Sequence, residues 1–96
     1  MAHELKVHYE GADLLLTFEK EAVANLSING IQRDFDSSDN KPSDAGVITL
    51  KLYSTVQTAY EWHEFIEAIV IYNASTIEAS IFASKKELIA TTVDIR

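Results

Sequence analysis

The sequence predicts a mainly β protein, an antiparallel meander folded into a two-layer sandwich or a partly open barrel. Three observations carry this. Apolar and polar residues alternate with period two along much of the chain. An Asn29-Gly30 pair stands between two such runs, the strongest short hairpin signal available. Up to eight short runs follow one another with tight connections and no evident crossover helix. The alternative is an α+β fold with one helix at about 59–72 lying on an antiparallel sheet.

Leu5, Val7 and Tyr9 alternate with Glu4, Lys6, His8 and Glu10, so the first strand is half-buried. Gly11-Ala12 interrupts it. Leu14, Leu16 and Phe18 then alternate with Asp13, Leu15, Thr17 and Glu19, which makes a hairpin with its turn near Glu10–Asp13. After the charged Glu19-Lys20-Glu21, residues 22–28 form a third strand with Ala24, Leu26 and Ile28 on one face. The Asn29-Gly30 loop should pair Ile28 with Ile31, Leu26 with Arg33 and Ala24 with Phe35.

Residues 34–46 read as an acidic irregular loop, holding the single Pro and many residues that bond their own backbone. Asp34, Asp36, Asp39 and Asp44 offer hard oxygen ligands, and a weak calcium site is conceivable there. Their spacing departs from an EF-hand loop, however, and Lys41 interrupts it. A solvated loop without metal is the expectation.

Residues 47–56 form a strong strand with Ile48, Leu50, Leu52 and Val56 on one face, broken only by Ser54. The next segment supports two readings. Thr58-Ala59-Tyr60-Glu61 matches a helix capping box, and Trp62, Phe65, Ile66 and Ile69 would line one helical face. Ile69-Val70-Ile71-Tyr72 is β-branched and aromatic, which favours strand. The strand reading places Tyr60, Trp62, Ile66, Ala68, Val70 and Tyr72 on one face and Glu61, His63, Phe65, Glu67, Ile69 and Ile71 on the other. It also aims Glu64 at a core, which requires a bulge or a strand edge there. Two further strands follow, one with Ile77, Ala79, Ile81 and Ala83 on its inner face and one with Ile89, Thr91, Val93 and Ile95.

Composition narrows function more than motifs do. With 47% hydrophobic residues, 96 residues make a single domain with a real core. The formal charge of −7 disfavours nucleic acid and anionic membrane surfaces as partners. It leaves a basic protein, or a second copy of this chain, as the expected partner. There is no cysteine, hence no thiolate catalysis or ligation. No basic stretch followed by an apolar one opens the chain, and no uncharged apolar run reaches 18 residues. A cytoplasmic protein without signal peptide or transmembrane helix is the expectation.

No catalytic set emerges. His3 and His8 fall on opposite strand faces, and the glycines are too scattered to cradle phosphate. No cofactor is implied. Tyr60, Trp62, Phe65 and Tyr72 are candidate binding aromatics, able to anchor a protein partner or to stack on sugars. Glu61, Glu64 and Glu67 are the acidic residues beside them. The expected function is a non-enzymatic protein-interaction module, of an inhibitor or immunity type or a self-associating subunit. A small-ligand or carbohydrate-binding β-module is the alternative.

Overall fold

The computed structural model describes residues 2–38, 47–59, 62–73 and 75–94. Among them lie eight β-strands and no helix: β1 (Ala2–Tyr9), β2 (Ala12–Glu19), β3 (Val23–Ile28), β4 (Ile31–Ser37), β5 (Ile48–Ala59), β6 (Trp62–Tyr72), β7 (Thr76–Ala83) and β8 (Lys86–Asp94). Each strand pairs antiparallel with its sequence neighbour, giving two four-stranded sheets in the orders β1-β2-β3-β4 and β5-β6-β7-β8. The sheets stack face to face, with β1 beside β8 and β4 beside β5. Among the described residues no ladder joins them, so the meander is a sandwich and not a closed barrel. Residues 62–72 are strand, and the helical alternative falls.

The alternating pattern explains the core. Leu14, Leu16, Phe18, Leu26, Leu50, Leu52, Ile66, Val70, Ile77 and Ile81 are all fully buried, and each lies on the inner face of its strand. Small residues sit opposite large ones across the ladders. Ala68 lies between Leu52 and Ile81, Ala79 faces Val70, Ala83 faces Ile66 and Ala24 faces Phe18. That complementarity lets two sheets of bulky side chains approach to about the usual 10 Å. Each large side chain so buried stabilises the fold by roughly 1.5–3 kcal/mol before entropy is counted.

Phenols fasten both ends of β6 to the opposite sheet. Near its start, Glu64 accepts a hydrogen bond from the Tyr9 hydroxyl of β1. At its end, the Tyr72 hydroxyl donates to the backbone carbonyl of Glu19. Glu64 sits where β6 has run past the last β7 pair, Ile66 with Ala83, so it occupies a strand edge as expected. The nearest register break lies in β5, between Gln57 and Ala59.

The β3–β4 register departs from expectation. Ile28 does pair with Ile31, but a bulge between Leu26 and Ser27 brings Asp34 opposite Leu26 and Asp36 opposite Ala24. Phe35 is thereby turned outward and is half exposed. The cause is the acceptors that β5 demands. Asp34 Oδ2 takes the Tyr53 N–H at 2.7 Å and Asp36 Oδ2 the Lys51 N–H at 3.3 Å. β4 also runs to Ser37, so the irregular segment begins later than the sequence suggested. Residues 39–46 lie outside the described residues.

Asn29 and Gly30 have φ of 53° and 81°, the paired left-handed values of a type I′ turn. Asn29 Oδ1 also accepts the Asp13 N–H at 2.9 Å, tying the turn to β2. A Cβ on Gly30 would meet nothing within 4 Å, so only the backbone resists substitution. Gly30→Val should therefore cost about 1–2 kcal/mol in urea unfolding. An unchanged midpoint would show that the turn tolerates a β-branched residue at positive φ.

Candidate interaction surface

The two sheets differ in what their outer faces carry. The first presents Glu4, Lys6, His8, Asp13, Thr17, Asn25 and Ser27, with Leu15, Val23 and Phe35 dispersed among them. The second carries a contiguous apolar patch. Central strand β6 puts Phe65, Ile69 and Ile71 on this face, with Glu67 between them. Tyr53 of β5 and Phe82 of β7 flank Glu67 directly, one on each side of the ladder. Phe65 is 77% exposed and Tyr53 55%, while Ile69, Ile71 and Phe82 are half-buried by their neighbours. Charged residues border the patch: Lys51 on β5, Glu78 on β7, Glu87 on β8 and the Lys85-Lys86 turn.

At one end of the patch is a groove of about 470 Å³ lined by Tyr53, Phe65, Ile66, Glu67, Ser84 and Lys85. The β7–β8 turn builds one wall, held by the Ser84 N–H donating to the Phe65 carbonyl at 2.9 Å. Ser84 and Lys85 hold φ of 49° and 71°, the same two-residue turn geometry as Asn29-Gly30. Tyr53 and Phe65 are diagonal neighbours across the β5–β6 ladder. Desolvation first, and then the facing Glu67 carboxylate, raise the Tyr53 phenol above its ordinary range. A second depression, of about 380 Å³, continues along the face past Ile71, Ser80 and Ala90.

The sequence-predicted residues divide. Phe65 and Glu67 belong to this face. Tyr72 does not, because it is fully buried and its hydroxyl faces the first sheet. A binding aromatic row through Tyr72 is therefore corrected to a core tyrosine. Glu64 points inward to Tyr9, and its hydrogen bond, with burial, holds that phenol up at about 12. Tyr60, Glu61 and the Trp62 side chain lie outside the described residues. Tyr53 was not singled out by sequence reasoning, because it sits among Thr49, Lys51 and Thr55 on a face that looks polar. An aromatic residue one strand from Phe65 was the available signal, and it needed the pairing of β5 with β6 to be used.

The calcium ligands considered above are otherwise engaged. Asp34 and Asp36 spend one carboxylate oxygen each on β5 and the other on the next N–H of their own strand, at 2.9 Å. Asp39 and Asp44 lie outside the described residues. Among the described residues, no three His, Asp or Glu side chains come together to hold a metal. His8 Nδ1 lies 2.7 Å from Asp13 Oδ1, a cross-strand pair on the exposed face of the first sheet. No helix of the described residues is long and apolar enough to cross a membrane. No family model matches the chain, and no curated protein or solved structure matches it.

Proposed function

We propose that this protein is a non-enzymatic interaction module that docks a basic partner protein on the outer face of the β5–β8 sheet. The observation that supports it is the contiguity of Tyr53, Phe65, Ile69, Ile71 and Phe82 on one face, with the largest exposure at Phe65. Scattered exposed hydrophobics are ordinary, but a contiguous aromatic and aliphatic patch rimmed by charge is the usual form of a docking surface. Covering Phe65 and Tyr53 would contribute about 1.5–3 kcal/mol each, the scale of an interface hot spot. The charge of −7 favours a basic partner and makes the association rate fall with salt.

Photo-cross-linking tests this. A benzophenone amino acid replacing Thr55, beside Phe65, is expected to capture one adduct from lysate of the native source. The same group replacing Lys6, on the outer face of the first sheet, should capture none. High salt should weaken the Thr55 adduct and Phe65→Ser should abolish it. Equal labelling from both positions, or none from Thr55, would refute the reading.

A further inference from the structure

We infer that the groove between Tyr53 and Phe65 receives an arginine side chain of the docked partner, an inference that rests on the interaction reading and names its anchor. The groove offers two exposed aromatic rings and one half-buried carboxylate, Glu67, between them. Among the described residues Glu67 makes no ion pair, although Lys85 lines the same groove and Lys51 stands two pairs along the ladder on the same face. Tyr53 stands directly opposite it in the β5–β6 ladder.

The occupant follows from those groups. An anion would be drawn by Lys85 but would leave Glu67 unpaired and be repelled by it. A purely apolar group would strip water from the carboxylate without replacing it, which is unfavourable. A guanidinium satisfies both demands, since it stacks on aromatic faces and donates to a carboxylate in the same plane. It is also more weakly hydrated than an ammonium, so arginine should be preferred to lysine here. The groove is an open cleft of about 470 Å³ on the sheet face, and Ile69 and Phe82 lie outside its lining. Lys85 at the rim opposes any incoming cation, so Lys85→Gln should tighten binding about twofold.

The test is a titration of the 15N-labelled 96-residue chain with N-acetyl-L-arginine methylamide, followed by amide shifts. Saturable shifts are expected at Tyr53, Phe65, Glu67 and Ser84, with a Kd of about 10 mM for so small a probe. N-acetyl-lysine methylamide should bind several-fold more weakly, and the norleucine analogue should not saturate. Glu67→Gln keeps the size of the side chain and removes its charge on the outer face of β6, so its spectrum should stay native while arginine affinity drops at least fivefold. Shifts that rise linearly, spread over both sheets, or persist in Glu67→Gln would overturn the assignment. A silent titration beside an intact Thr55 cross-link would remove the arginine anchor and keep the docking face. Saturable arginine binding without any cross-link would do the reverse.

Discussion

Tyr72→Ala is expected to cost about 3–5 kcal/mol, against a total stability on the order of 5–10 kcal/mol for a domain of this size. Tyr72 is fully buried between Ile48 and Ile77 on the inner face of the second sheet. Its hydroxyl crosses to the first sheet, donating to the Glu19 carbonyl and lying 3.4 Å from that of Val23. Truncation therefore opens a large cavity and also cuts a tie between layers. Tyr72→Phe separates the two effects, because it keeps the ring and removes the cross-sheet donor, while the Glu19 carbonyl keeps the Ala22 N–H at 3.2 Å, so it should cost about 1 kcal/mol. Urea unfolding of both variants gives the comparison. Alkaline pH gives an independent one. Burial holds the Tyr72 phenol up at about 12, above its ordinary value of 10. A folded pKa above the unfolded one means that stability is whole below pH 10 and is lost as pH rises through about 12. Tyr9 titrates in the same window, through its hydrogen bond to Glu64. Tyr72→Phe should thus shallow the alkaline fall without abolishing it. A variant whose urea midpoint falls as steeply as the parent's would show that Tyr72 is not a group that drives it.

What could be read from the chain beforehand was local, and what could not was the identity of distant partners. Alternation placed Leu14, Leu16 and Phe18 on one face, and Ile66, Ala68, Val70 and Tyr72 on another, because strand periodicity is a property of the residue spacing itself. It does not say which face a second sheet will cover, so Tyr72, though more often core in such a pattern, stayed readable as an exposed aromatic. Glu64 was recognisable as a misfit on an inner face, yet its partner Tyr9 is 55 residues away and carries no sequence mark of that role. The bulge in β4 was invisible for the same reason: its cause is a pair of N–H groups on β5, 15 and 19 residues further on. Phe65 and Glu67 were legible as members of a candidate site. Tyr53 became one only when β5 lay beside β6.

The seam between β4 and β5 yields the second large effect. Asp34→Ala combined with Asp36→Ala should destabilise the protein by about 2 kcal/mol and make it associate at high concentration. Each carboxylate accepts an N–H from β5 while its other oxygen holds the next N–H of β4, so both oxygens of each side chain are engaged. A hydrogen bond to a charged group contributes about 1.5–3 kcal/mol when sheltered, and about 1 kcal/mol each is the fitting figure at this exposed seam, where water competes. The larger consequence concerns the edge itself. β5 is twelve residues long, and its backbone faces β4 without a ladder between them. With both carboxylates gone, the Lys51 and Tyr53 N–H groups are open to a strand from another molecule, the hazard that edge strands carry. The double Asn variant keeps one acceptor oxygen at each position and puts an amide donor where the second stood, so Oδ1 can still hold the β5 N–H while the β4 N–H turns to water, and it should stay monomeric and within about 1 kcal/mol of the parent. Sedimentation across a concentration series, run beside urea unfolding, separates the two contributions. If the double Ala variant keeps both its midpoint and its monomeric state, the carboxylates do not guard the edge, and the outward turn of Phe35 loses its explanation.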